Sequence, residues 1–197
     1  MVARMSNDVV VIDLECMCWD DPARAGDMEI VEIGLCVLDG LTGEIGHRAS
    51  IAARPRLIEV SELCAGLTGL TEAGLRAGAP LGEALNRVRK SCPARSAAWA
   101  GWGCGDRDRL SAEAAAKGAE NPFVGLYIDI GYLYRLHARS PCGVGLPEAV
   151  RRLGMEFGGG GRTAGRRRVQ RRQGVQGDFG LACLGPHAPS LSRASSM

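Results

Sequence analysis

A chain of 197 residues, 46% apolar and 23% charged, has the length for one domain with a full core and the balance of a soluble globular protein. Its 24 Lys and Arg against 22 Asp and Glu leave a net charge of +2, which does not by itself argue for a polyanionic partner, so any nucleic-acid site must be local. No apolar run reaches the roughly 20 residues that span a bilayer, so no membrane partner is expected.

The first residues, Met1 to Asp8, lack the build of a secretory signal, because the apolar stretch after them is short and ends in acids. The expectation is an intracellular protein, cytoplasmic or nuclear. Val9-Val10-Val11-Ile12-Asp13-Leu14-Glu15 then predicts a strand that presents two carboxylates at its end. Side chains alternate along a strand, so Asp13 and Glu15 share one face while Leu14 takes the other. Like charges that close repel, and burial deepens the cost, so the pair calls for a cation. Hard divalent ions with oxygen ligands, magnesium above all, suit it. The alternative is that both acids mark the solvated end of the strand.

Cys16 to Asp27 carries Trp19, Pro22 and the acids Asp20, Asp21 and Asp27, and reads as a connecting loop. Met28 to Leu38 is rich in β-formers, and Asp39-Gly40-Leu41-Thr42-Gly43 has turn chemistry. Glu44 to Ala53 returns as a third strand, so the first three strands predict an antiparallel meander, closed by Arg54-Pro55. Leu57 to Ala77 holds short helical pieces, with Ser61 as one N-cap and Thr71-Glu72 as a second helix start. Leu81, Leu85 and Val88 have the spacing of an amphipathic helix.

Ser96 to Trp102 looks like a buried strand that feeds a helix over Asp106 to Lys117. Phe123 to Ile128 predicts a further strand, Tyr132 to His137 a helix, and Leu146 to Leu153 a last short helix with Pro147 near its start. A meander followed by strand and helix alternation predicts an α/β sheet of mixed direction. From Gly158 the character changes: four glycines lead into Arg162, Arg166, Arg167, Arg168, Arg171 and Arg172, and the rest is rich in Gly, Pro, Ala and Ser. The expected organisation is one domain over residues 1–160 and a tail over 161–197 with the composition of disorder. The eight cysteines are scattered, and Cys16-x-Cys18 lacks the second pair a zinc site needs, so free thiols are expected.

Taken in order, these motifs resemble the DEDD superfamily of 3'-5' exonucleases, of the DEDDh type, and most closely its exoribonuclease branch that trims histone-mRNA and small-RNA ends. Ile12-Asp13-Leu14-Glu15-Cys16-Met17-Cys18-Trp19 is similar to that branch's first motif, with Met17 where the family usually has threonine. Glu29-Ile30-Val31-Glu32-Ile33-Gly34 is similar to its second strand. Arg54-Pro55, Ser61, Cys64 and Leu67-Thr68-Gly69-Leu70-Thr71 follow in the family's order, and Trp102-Gly103-Cys104-Gly105-Asp106 is similar to its second catalytic motif. The resemblance covers Val9 to Phe157 and implies a ribonuclease-H-like α/β fold, a mixed sheet with flanking helices.

It also implies phosphodiester hydrolysis by two magnesium ions, with manganese as the alternative, at the single-stranded 3' end of RNA, DNA being the other substrate left open. Asp13, Glu15 and Asp106 would be the catalytic metal ligands. The Trp-Gly-x-x-Asp spacing selects Asp106 over Asp108. Leu67, Thr68 and Leu70, in the stretch Leu67 to Thr71, would line the pocket for the terminal nucleotide together with the backbone near Cys16 and Met17, although ordinary core packing explains Leu67 and Leu70 equally well. Asp106 could also be no more than the N-cap of its helix.

The family's third motif, a His and then an Asp on the last helix, should follow Leu153 to Phe157. That place holds Arg162-Thr163-Ala164-Gly165-Arg166-Arg167-Arg168, with neither residue. One ligand and the usual base are absent, so the chain reads either as an impaired nuclease or as a module of the same fold that binds nucleic acid or protein without turnover. A changed reading frame is one origin. If 166–173 uses CGN arginine codons, reading one base later permits Asp-Asp-Ala-Cys-Asn-Ala-Ala-Arg, similar to the family's last helix. The histidine then needs a second frame change. Without that helix, apolar sheet surface should be uncovered.

Overall fold

The structure is a computed structural model that describes residues 7–156. The tail expected over 161–197, the Arg162 to Arg168 stretch and His187 lie outside the described residues. Strand β1 (Asp8–Cys16) pairs antiparallel with β2 (Ile30–Asp39), and β2 pairs antiparallel with β3 (Ile45–Arg54), which is the expected meander. Two short helices follow, α1 (Glu62–Thr68) and α2 (Glu72–Ala77), then a two-residue strand β4 (Ala79–Pro80) and helix α3 (Leu81–Ser91). Strand β5 (Ala98–Gly101), helix α4 (Gly105–Ala116) and strand β6 (Tyr127–Asp129) form a parallel crossover unit. Helices α5 (Ile130–His137) and α6 (Leu146–Arg152) complete the described residues.

The sheet order is β4-β3-β2-β1-β5-β6, so β1 lies inside the sheet, antiparallel to β2 and parallel to β5. Its period of two decides the layering. Val10, Ile12 and Leu14 are buried, and register places Ile12 opposite Leu35, Leu14 opposite Ile33 and Val10 beside Trp99. This face packs in one core with Leu81, Leu85 and Val88 of α3 and Leu110 and Ala114 of α4. Val9, Val11, Asp13 and Glu15 take the other face and are only half-buried.

Two caps fall where the sequence predicts them: Ser61 Oγ accepts the Cys64 N–H at 3.0 Å, and Thr71 Oγ1 accepts the Gly74 N–H at 3.1 Å. Three elements differ from expectation. Residues within the predicted loop after β1 form a 3-10 turn over Pro22–Asp27, because Pro22 sets its first φ and the Asp21 carboxylate accepts the Ala23 N–H. The strand expected over Phe123 to Ile128 shrinks to Tyr127–Asp129. Its first half folds over Trp99 instead: Phe123 stacks on the indole at 4.8 Å, and the Gly125 carbonyl accepts the indole N–H at 3.1 Å. Strand β4, too short to leave a periodic signal, was not expected. Among the described residues no helix is long and apolar enough to cross a membrane.

An ionic network ties α4 to the sheet. Glu29 and Glu113 are both buried, and Lys117 Nζ lies 2.8 Å from Glu113 Oε1 and 3.2 Å from Glu29 Oε1. Glu113 Oε2 accepts the Ile30 N–H at 2.9 Å, which anchors the helix to the start of β2. Arg56 closes the other side of Glu29 with its Nε at 2.7 Å and its backbone N–H. Burial works to raise the Glu29 pKa, but the bonds from Arg56 and Lys117 outweigh it and hold the carboxyl below its ordinary range.

Candidate active site

The end of β1 is shaped by what stands beside it. On one edge Asp13 faces Gly34 and Glu15 faces Glu32, and the register then slips so that Cys16 pairs with Ile30. This bulge ends regular pairing just past the second acid. Glu32 is directed towards β3, where Ser50 Oγ donates to its Oε1 at 2.7 Å. On the other edge, pairing with β5 runs only as far as Val11 and Ala100. Beyond it the chain turns through Trp102 to Cys104 into α4.

That turn brings in the third acid. Asp106 is the second residue of α4, whose N-cap position is Cys104, so Asp106 is not the helix cap. Its carboxylate accepts the backbone N–H of Leu14, between Asp13 and Glu15. Burial pushes its pKa up to about 6, and the Leu14 bond offsets only part of the rise. Asp108, two positions on, is exposed and pairs with its neighbour Arg107 at 2.8 Å. The Cys16 thiol is pushed up to about 12, mainly by burial, with Arg109 opposing and Glu113, Asp106 and Glu15 adding to it. It is therefore a neutral thiol at ordinary pH.

The predicted pocket residues separate. Met17 is 1% exposed, packs with Trp19, Val31 and Leu75, and gives its N–H to the Glu29 carbonyl at 3.0 Å. Its side chain and its N–H are thus both used within the fold. Leu70 packs against the same cluster. Thr68 is half-buried; its hydroxyl donates to the Cys64 carbonyl at 2.6 Å and accepts the Leu70 N–H at 3.1 Å, which shapes the end of α1. The side chain of Leu67 lies outside the described residues. Ser61 Oγ donates to the Cys18 carbonyl at 2.6 Å and so fastens this helical region to the segment after β1.

Asp13, Glu15 and Asp106 supply oxygen donors only, the donor type that hard divalent cations take. Their chemistry fits such an ion. Among the described residues no group of three or more His, Cys, Asp or Glu side chains is already gathered as a metal site. His47 and His137 are both exposed, on β3 and in the last turn of α5. The seven described cysteines are all free thiols.

Sequence reasoning missed Tyr127 and Asp129. Both sit on β6 and reach the turn that precedes Asp106: the Tyr127 hydroxyl donates to the Gly103 carbonyl, and Asp129 Oδ1 accepts the Gly103 N–H at 3.0 Å. No local signal marks them, because their strand is three residues long and their part rests on bonds to a turn 24 and 26 positions away.

No family model matches the chain. It is similar to ERI1 exoribonuclease 2 of Mus musculus and of Homo sapiens, 29% identical in each case over 178 aligned positions that cover 77% of this chain. The chain spans 25% of the length of these curated relatives. Its fold is similar to the nuclease domain of 3'hExo, a DEDDh family member bound to rAMP, with a TM-score of 0.65 at 20% identity, covering 78% of this chain and 82% of that one. The mixed six-stranded sheet with flanking helices is thus the ribonuclease-H-like arrangement that the resemblance implied.

Proposed function

We propose, for a chain that belongs to the DEDD superfamily of 3'-5' exonucleases, that it acts on the single-stranded 3' end of RNA and that its catalysis is impaired by the missing third motif. The observation that carries this reading is the meeting of Asp106 with the backbone of Leu14, which sets a third carboxylate beside the strand end bearing Asp13 and Glu15. The named relatives are exoribonucleases, which supports RNA over DNA as substrate.

Asp13, Glu15 and Asp106 would hold the divalent ions, magnesium first and manganese as the alternative. When bound, such ions supply an activated water and neutralise charge on the leaving oxygen. The remaining work falls to the chain itself. Asp106, raised to about 6 by burial, is held against β1 through the Leu14 N–H. Thr68 and Leu70, with the backbone near Cys16, would seat the terminal nucleotide, and Leu67 would join them. Neither described histidine stands in the place of the third motif, since His47 lies on β3 and His137 in the last turn of α5.

The second reading, a module of the same fold that binds nucleic acid or protein without turnover, is favoured by the sequence after Phe157, where Arg162 to Arg168 stand with neither the His nor the Asp of the third motif. The deciding experiment is release of nucleotides from a 3'-labelled single-stranded RNA with and without magnesium, beside Asp13→Ala. Metal-dependent release that the substitution abolishes supports the nuclease. RNA binding without release supports the module.

A further inference from the structure

Gly103 lies three positions ahead of Asp106, in the turn between β5 and α4, with φ at +81°. That left-handed backbone suits glycine, and glycine by itself leaves the turn loose. Here both peptide groups of Gly103 are held from β6. The Tyr127 hydroxyl donates to its carbonyl, and Asp129 Oδ1 accepts its N–H at 3.0 Å. Tyr127 and Asp129 are two residues apart on a strand and so reach the turn from one face. Asp129 Oδ2 lies 3.8 Å from Cys104 Sγ, and its Oδ1 also accepts the Tyr132 N–H at 2.9 Å as the cap of α5. One carboxylate therefore joins the start of α5 to the start of α4. Gly101 makes room for this clamp, since a Cβ there would stand 2.9 Å from the Tyr127 hydroxyl oxygen.

We propose that Tyr127 and Asp129 are positioning residues that fix the Gly103 turn and thereby set where α4 presents Asp106. The role rests on the nuclease reading above, because it matters only where Asp106 takes part in the reaction. A displacement of about 1 Å in a reacting constellation can cost about 100-fold in rate, so a turn with one glycine at its pivot is a place where a clamp has effect.

The test uses the full chain with Asp129→Ser, Asp129→Asn, Tyr127→Phe and Asp106→Ala. Serine still caps α5 but is too short to reach Gly103 as well, whereas asparagine keeps the acceptor oxygen for both. Asp129→Ser is expected to lower kcat for release from 3'-labelled RNA by about tenfold or more, leaving KM within about twofold, with Asp129→Asn close to the parent. Tyr127→Phe should lower kcat as well. In parallel, amide hydrogen exchange over 103–106 should speed up by about tenfold in Asp129→Ser and not in Asp129→Asn. Parent-like kcat in Asp129→Ser, in a chain whose release Asp106→Ala abolishes, would overturn the proposal, and so would unchanged exchange over 103–106. If the parent chain releases no nucleotide, the nuclease reading fails on its own, and the exchange result still decides whether the clamp holds the turn.

Discussion

Asp106 meets β1 through the backbone N–H of Leu14, whose side chain is packed in the core. One residue thus faces two tasks, its peptide serving the acidic end of the strand and its side chain the packing beneath it. The contact also means that the strand edge left open by β5 is finished by a side chain rather than by another strand.

The raised Asp106 pKa makes stability depend on pH. Between the ordinary value of 3.8 and the folded value of about 6, the native state keeps a proton that the unfolded chain has released. Stability contributed by this group therefore falls as pH rises through that window and stays low above it. In EDTA, Asp106→Asn should be more stable than the parent at pH 8 by up to about 3 kcal/mol and nearly equal at pH 4, read from urea unfolding. A variant less stable than the parent at pH 8 would contradict the assignment of burial as the cause.

The two aspartates of α4's first turn should separate by function. Asp106→Ala is expected to lower magnesium-dependent nucleotide release by about 100-fold or more, as Asp13→Ala should. Asp108→Ala removes only an exposed pair with Arg107 and should leave release within about twofold. Single-turnover assays on 3'-labelled RNA compare the three.

Removing the Glu113 carboxylate strands two partners, the Ile30 N–H and the Lys117 ammonium. Glu113→Ala should cost about 3 kcal/mol, because a buried donor and a half-paired cation are left behind. Glu113→Gln keeps an acceptor for Ile30 and should cost distinctly less. Thermal melts should show the alanine variant about 6–12 °C below the parent.

Two glycines should fail for different reasons. At Gly103 nothing lies within 4 Å of an added Cβ, so Gly103→Ala pays only for the positive φ, about 1 kcal/mol. At Gly125 an added Cβ would overlap the Ala97 carbonyl, which is backbone and cannot turn aside. Gly125→Ala should therefore lose more stability than Gly103→Ala, and chemical denaturation of both variants gives the comparison.

Most of the architecture was legible because its signals are local. The alternation in Val9 to Glu15 separates core from acids, and Ser61 and Thr71 cap the helices they precede. Asp106 was found by motif spacing, since nothing in its own helix distinguishes it from Asp108. What escaped is long-range. Glu29 and Glu113 look like ordinary surface acids until α4 is laid beside β2, 83 positions away in the Glu113 to Ile30 bond. Tyr127 and Asp129 occupy a strand of only three residues, too short for periodicity to register. The predicted strand over Phe123 to Ile128 overreached because β-forming residues there are used to cover Trp99.

The two sides of β1 also bear on how such a chain can change over generations. Val10, Ile12 and Leu14 keep the domain folded, while Asp13 and Glu15 occupy the intervening positions on the other side. A substitution at Asp13 or Glu15 therefore leaves the packing of Val10, Ile12 and Leu14 in place. A chain that loses those two acids need not lose its fold, and the scaffold stays available for a different use.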